Sequence, residues 1–439
     1  MTANDPVDKV RELQRKLFTA AKRSRSRRFH ALYDRIGQGD VLREAWRRVR
    51  SNRGAAGIDG ETIAAIESNG VAAFLGSIQS ELKEGKYRPR PVRRRYIPKP
   101  DGRERPLGIP TVRDRVVQQA AKLVLEPIFE ADFKDCSYGF RPKRSATQAK
   151  EVLRMTGNRG HRWVVDADIR GFFDGIDRRV LMDRVARRIS DRRVLKLLRK
   201  WLDAGVMSEG EVRKATTGTP QGGVISPLLA NIYLDALDEA WERDCSHLGR
   251  FVRYADDFVI LCRHESQARE ALQRVGEILT SLKLELHPEK TKLVELGVGK
   301  EGFDFLGCHF RIVRSVFRQR EYLFRWPSAR AMNAIRERLR ELTNRRRWAG
   351  MRDIRDVVAV LNPVLRGWGN YFRTGNASRQ FHDLDRFVTS RLVRLIGQRE
   401  GWRRRPFHHR SWPCRRFVDD FGLHQLLGTI RYPGGAHAT

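Results

Sequence analysis

Asp256 and Asp257 stand side by side between two apolar runs of strand length, Phe251-Val252-Arg253-Tyr254 and Phe258-Val259-Ile260-Leu261. The pattern predicts a β-hairpin whose tight turn carries both acids. Two unit negative charges about 4 Å apart repel by roughly 4 kcal/mol at an effective dielectric near 20, so a site that keeps both ionised between hydrophobic strands calls for a cation. Hard carboxylate oxygens favour Mg²⁺ or Mn²⁺. An Asp-Asp pair alone reads more simply as a solvated turn, and other stretches must decide. Trp163-Val164-Val165-Asp166-Ala167-Asp168-Ile169 is the most informative of them. Its apolar start predicts a buried strand, and period two sets Asp166 and Asp168 on one face, with Asp168 near the strand end before Gly171. Asp177 reads most simply as the N-cap of the helix that follows and Asp174 as a turn former, while Phe172 and Phe173 read as core on composition.

The elements around these acids follow from pattern. Thr217 to Leu228 is a loop rich in breakers that opens a long apolar helix through Leu229, Ile232, Tyr233, Leu237 and Trp241. Its paired glycines let backbone approach a ligand closely, and Gln221 offers both a donor and an acceptor. After the hairpin come a helix through Ala268, Leu272, Val275, Leu279 and Leu282, a strand-like Leu284-Glu285-Leu286, and His287-Pro288-Glu289-Lys290-Thr291-Lys292. Phe303 to Gly307 begins another β segment, expected to pair with Glu321 to Trp326. The order from 161 to 310 suits an α+β fold with a split βαβ sheet and helices on one face. Asp168 and the acidic turn then meet at one sheet edge.

Upstream, residues 7 to 50 predict helices interrupted by basic clusters, of which Lys22 to Arg28 suits either phosphate contact or a solvated linker. Gly54 to Gly60 is a glycine-rich turn, but it follows a helix and ends in neither GKS nor GKT, so it is no nucleotide P-loop. A helical pattern runs from Ile63 to Leu82. Val92 to Ile97 and Arg105 to Ile109 predict a basic hairpin around Asp101-Gly102; alone it reads best as a solvated tip, the alternative being that Lys99 and Arg105 flank the turn as extended cations that reach a triphosphate. Val112 to Ala131 reads as a core helix, and Tyr138-Gly139-Phe140-Arg141-Pro142 as an irregular aromatic and basic turn.

Composition restricts the partners. The 439 residues carry 87 Lys and Arg against 53 acids, a net charge of +34, far beyond what solubility requires, and this implies a polyanionic partner. No apolar run approaches the roughly 20 residues of a spanning helix, and the polar start is no signal peptide, which predicts a soluble intracellular protein with no membrane partner. Five cysteines without a CxxC pair support neither a disulfide framework nor a cysteine zinc site. From Arg311 to Thr439 there are 28 arginines, no lysine and 10 acids, a balance of +18. Helical patterns there predict a three-helix unit with a basic exterior, and Trp348, Trp368, Tyr371, Phe372 and Trp402 among the arginines suit phosphates and unstacked RNA bases.

Taken together, GAAGIDG, YIPKPDGRERPLGIP, SYGFRP, DADIRGFFD, TPQGGVISPLLANIYL, YADD, HPEKTK, FDFLG and LNPVLRGWGNYF resemble the group II intron-encoded reverse transcriptases, over nearly the whole chain. The resemblance implies a right-hand polymerase: an N-terminal basic helical extension at 1–60, fingers at 61–160, palm at 161–310, thumb and maturase X domain at 311–400, and a short basic tail at 401–439. By motif, Asp168, Asp256 and Asp257 match the acids that hold two Mg²⁺ ions, with the backbone carbonyl of Ile169. Lys99 and Arg105 match triphosphate-contacting residues, and Phe173 the bulky side chain that excludes a ribonucleotide 2′-OH. Gln221 matches a loop residue near the incoming nucleotide, and Lys290 a lysine near the pyrophosphate. The implied partners are an RNA template, intron RNA, a DNA or RNA primer and deoxynucleoside triphosphates, in the cytoplasm. Cys414 alone in a short tail does not supply the endonuclease domain of many relatives, so no target cleavage is expected. A non-catalytic RNA-binding splicing cofactor and a reverse transcriptase used in antiviral defence are the alternatives. Oligomeric state is not set by the sequence.

Overall fold

The computed structural model describes residues 6–98, 104–208, 211–213, 222–315, 319–350, 353–399 and 412–432. The chain opens with α1 (Pro6–Arg23), α2 (Tyr33–Ile36), α3 (Gly39–Ser51), α4 (Ile63–Asn69) and α5 (Val71–Lys83). The hairpin β1 (Val92–Pro98) and β2 (Glu104–Ile109) precedes α6 (Val112–Glu130), α7 (Ala146–Asn158) and β3 (Trp163–Ala167). Then follow α8 (Phe172–Gly175), α9 (Arg178–Arg188), α10 (Arg192–Asp203), β4 (Val206–Ser208), β5 (Glu211–Arg213) and α11 (Ser226–Ala240). The acidic hairpin is β6 (Arg250–Tyr254) and β7 (Asp257–Cys262), followed by α12 (Glu265–Ser281) and β8 (Lys292–Glu295). The remainder is β9 (Phe303–Phe305), β10 (Cys308–Arg314), β11 (Glu321–Pro327), α13 (Ala329–Leu342), α14 (Ile354–Phe372), α15 (Ser378–Arg399) and α16 (Cys414–Phe421). No helix among the described residues is long and apolar enough to cross a membrane.

Two compact units emerge, one formed by Met1–Arg144, Ala167–Phe258 and Arg269–Thr291, the other by Ser145–Asp166, Val259–Ala268 and Lys292–Thr439. The first is built on α6, none of whose residues is exposed: its apolar positions are buried together with Asp114, Arg115, Gln118 and Gln119. Helices α1 and α3 lie against it. Side-chain caps start its helices where the sequence supplies them: Thr111 accepts from the Asp114 N–H, Asp177 from Val180, and Asp191 from Arg193 and Val194. The single helical pattern expected over 63–82 is two helices, because Gly70 takes φ +101° between them, a conformation that breaks the hydrogen-bond ladder.

Three sheets are present among the described residues, in the orders β2-β1-β4-β5, β6-β7-β3-β8 and β11-β10-β9. The second is the sheet expected to carry the acids, but its outer strand differs. Lys292 to Glu295 pairs antiparallel with Trp163 to Asp166, whereas the strand-like Leu284 to Leu286 makes only an isolated bridge, Leu286 to Ile169. The segment starting at Phe303 also needs correction: β9 pairs with β10, and β10 is the strand that pairs with Glu321 to Pro327.

In the second unit α13, α14 and α15 bury Met332, Ile335, Leu339, Val357, Leu361, Phe381, Leu384 and Val388. Arg330, Arg338, Arg340, Arg386 and Arg394 are exposed. Phe372 is 6% exposed and Trp368 packs at 4.7 Å from it and 5.7 Å from Phe381. These two belong to the core rather than to a base-contacting surface. Trp402 lies outside the described residues.

Candidate active site

The turn between β6 and β7 consists of two residues, Ala255 and Asp256, with Asp257 opening β7. Ala255 has φ +59°, in the left-handed region where two-residue hairpins ordinarily place Gly, Asn or Asp. A side chain there costs about 1–2 kcal/mol, so something else must hold the turn. Arg253 does so from below. It is fully buried, pairs through Nε and Nη2 with the two carboxylate oxygens of the fully buried Asp238 (Nε to Oδ1, 2.8 Å), and donates from Nη1 to the Ala255 carbonyl at 2.8 Å and to Asn231 Oδ1 at 3.2 Å. Asn231 in turn donates to the Gly139 carbonyl at 2.9 Å. Gly139 lies so close that an added Cβ would meet the Ala255 nitrogen at 2.3 Å. The segment around it pairs with β6, the Tyr138 N–H donating to Arg253 and the Arg253 N–H to Cys136.

Asp168 sits one residue beyond β3, as period two required. Its carbonyl accepts from the His287 N–H at 2.8 Å, and the Arg170 N–H donates to Glu285 at 2.9 Å, so the 284–290 stretch is tied along the strand exit. Lys290 Nζ lies 2.5 Å from Asp168 Oδ2. Asp257 keeps a solvent-exposed face. Close packing around its carboxyl, then the charges of Asp256 and of Asp168, nonetheless push it up to about 6, with Lys290 opposing them. Asp168 and the adjacent pair Asp256-Asp257, far from it in the chain, therefore share one electrostatic neighbourhood, in which Lys290 pairs with Asp168.

Among the described residues no three His, Cys, Asp or Glu side chains are gathered closely enough to form a complete cage for one ion. Mg²⁺ rarely uses such a cage; one or two carboxylates with substrate phosphates and water are its usual shell. The all-oxygen donors Asp168, Asp256, Asp257 and the Ile169 carbonyl have that composition, and the raised Asp257 marks the charge a cation would neutralise.

Other expected residues are distributed as follows. Phe172 is buried against Tyr233, while Phe173 is half-buried with its ring edge-on to Phe172 at 5.2 Å, so only the first is plainly core. Arg105 lies on β2 opposite Ile97. Lys99 and Gln221 lie outside the described residues. Gly222, directly after Gln221, has φ +109° and packs where a Cβ would strike the Gly108 carbonyl of β2 at 2.4 Å. The adjoining Val224 N–H donates to Gln118 of α6 at 2.9 Å. Asp177 is the N-cap expected, and it also pairs with Lys283 at 2.5 Å.

Arg253, Asp238, Asn231 and Gly139 escaped the sequence reading. A signal was there: Asn231, Asp235 and Asp238 fall four and three residues apart, which places three polar groups on one face of an otherwise apolar helix. Such a stripe requires buried partners.

Two family descriptions match the chain. "Reverse transcriptase (RNA-dependent DNA polymerase)" matches residues 97–310, and "Group II intron, maturase-specific domain" matches residues 332–417. Protein YkfC of Escherichia coli K12 is 38% identical over 362 residues, 74% of this chain and 94% of YkfC. The group II intron-encoded protein LtrA of Lactococcus lactis subsp. cremoris is 41% identical over 215 residues, 48% of this chain and 35% of LtrA. A chain of a solved Cas6-RT-Cas1–Cas2 complex aligns with a TM-score of 0.37 and 26% identity, over 57% of this chain and 42% of that one. With its reverse-transcriptase and maturase regions in that order, and its similarity to YkfC and LtrA, the chain belongs to the group II intron-encoded reverse transcriptase/maturase family.

Proposed function

We propose that the protein extends a primer 3′-OH with deoxynucleotides on an RNA template, with Asp168, Asp256, Asp257 and the Ile169 carbonyl as the ligands of two Mg²⁺ ions. What supports the assignment is that the strand exit carrying Asp168, with Lys290 paired to it, and the hairpin turn carrying Asp256 and Asp257 share one electrostatic neighbourhood, Asp257 feeling the charges of both other acids. Bound divalent ions would acidify the primer hydroxyl and neutralise the pyrophosphate leaving group. The chain's own residues do the rest. The Arg253 clamp fixes the turn so that Asp256 and Asp257 are presented without reorganisation, which is where electrostatic catalysis gains most. Lys290, beside Asp168, is placed to balance phosphate charge as it arrives and departs. Phe173, with one face open, is the candidate to crowd a 2′-OH, while Lys99, Arg105 and Gln221 are the candidates to hold the triphosphate and sugar.

The arginine-covered helices of the second unit support the companion reading, assistance to intron RNA splicing. Mn²⁺ substitution, the natural template and any defence role belong to the same proposal. Primer extension on an RNA template with purified protein and Mg²⁺ is the test. Extension by wild type that is lost in Asp256→Asn supports the site; extension that persists in the variant refutes it. Splicing assistance by a wild-type protein with no extension activity would instead favour the RNA-binding cofactor.

A further inference from the structure

Phe140 is an exposed aromatic held rigidly where the proposed reaction occurs. It is 51% exposed and has φ +57°, an outlying conformation for a bulky residue. Its neighbours are the reverse. Tyr138 is 4% and Arg141 7% exposed. The Arg141 guanidinium grips Glu130 at the end of α6 (Nη2 to Oε1, 2.8 Å) and donates to the carbonyls of Phe133, Lys134 and Ser137. On the other side the loop is pinned to the catalytic hairpin through Tyr138, Gly139 and Asn231. The loop thus has no freedom to tuck Phe140 away, and the ring projects beside Tyr254, with centroids 6.4 Å apart and planes at 43°. Tyr254 immediately precedes the turn that carries Asp256. Exposed Pro142 and Lys143 follow, Lys143 also at positive φ (+59°), and Arg144 lies over the Tyr138 ring.

A strained, solvent-facing aromatic in an over-determined loop is a feature that folding alone disfavours, and such outliers cluster at functional sites. Here Lys143 and Arg144 follow the ring closely in sequence, Arg144 over the Tyr138 ring and paired with Asp135, and the aromatic neighbour Tyr254 adjoins the carboxylate turn. A π-face with adjacent cations binds nucleobases without regard to sequence. We propose that Phe140, edged by Tyr254, is a stacking platform for the terminal base of the primer–template duplex, and sets the height of the primer end above the acidic turn. The inference rests on the polymerase reading and adds to it a nucleic-acid contact.

The test is equilibrium binding of a fluorescein-labelled RNA-template/DNA-primer duplex to the full chain, without nucleotide, alongside melting temperature and wild-type extension. Phe140→Ala and Phe140→Gly are expected to bind about tenfold more weakly, the scale of one lost base–aromatic stack. Phe140→Trp, which keeps a π-face, is expected within twofold of wild type. Phe140→Gly should melt no lower than wild type, because glycine relieves the positive φ. A purely structural residue would not separate affinity from stability in this way. Equal affinity in all variants, a loss that Trp fails to restore, or a change in self-association without a change in duplex affinity would each overturn the platform. Wild-type extension keeps the two readings distinct: if wild type extends primers and Phe140→Ala binds normally, the platform alone falls, whereas a wild type that never extends removes the polymerase reading itself.

Discussion

Two groups of aspartates lie on either side of the same turn and are treated in opposite ways. Behind it, Asp238 is buried with its counter-ion built in, gripped by Arg253, which is itself fully buried. At the turn, the exposed Lys290 pairs with Asp168, and Asp257 is raised to about 6. Asp235, 6% exposed beside the first pair, is raised to about 7 by burial and then by Asp238 and Glu239, with Arg184 opposing at 3.1 Å. A raised carboxyl pKa alone therefore does not mark a reactive site. What separates the groups is access: one is closed and paired within the protein, the other is open to solvent.

That contrast can be broken at either side. The largest effect is expected from Asp168→Asn, which should lower single-turnover primer extension by roughly 10²- to 10³-fold, the scale of losing one preorganised electrostatic contact, with the melting temperature nearly unchanged. Next is the buried pair. Arg253→Met or Asp238→Leu alone should destabilise by about 3–5 kcal/mol in denaturant unfolding, because each leaves an uncompensated buried charge. The double variant Arg253→Met/Asp238→Leu should recover most of that loss, since replacing both partners by apolar groups is often near neutral. Its extension should stay depressed, because the Ala255 carbonyl has lost its donor.

A smaller effect is a pH dependence at Asp257. Its folded-state value is raised above that of the unfolded chain, so its contribution to stability is fully present below about pH 4 and is lost as pH rises through about 6. Asp257→Asn should therefore melt slightly higher than wild type at pH 7 and show no advantage at pH 4. Wild-type extension should fall as pH drops through 6, since the ionised form is the one that can hold a cation. The smallest effect is Ala255→Gly, expected to gain up to about 1 kcal/mol of stability by relieving φ +59° while leaving extension intact. A large loss of extension would show that the side chain itself matters to the turn.

These contrasts also explain what the sequence disclosed. Alternation in Trp163 to Asp168, two apolar runs around Asp256-Asp257, and caps such as Asp177 and Ser328 are local signals, and the strand exit, hairpin and helix starts fall where they point. Arg253 was invisible for the opposite reason. In a chain with 87 basic residues one more arginine on a strand reads as surface, and its burial is decided by Asp238 on a different element. The pairing of Lys292 to Glu295 with β3 was likewise missed, because a short, partly exposed edge strand carries little hydrophobic alternation. Motifs identified the acids; only the fold identified what holds them.

The most direct measurement is divalent-ion binding by electron paramagnetic resonance, with Mn²⁺ as the probe and the protein bound to a duplex with a terminated primer and the matching nucleotide. Wild type is expected to hold two ions tightly, with a loss of occupancy in both Asp168→Asn and Asp256→Asn. Identical Mn²⁺ stoichiometry and affinity in all three proteins would contradict this expectation.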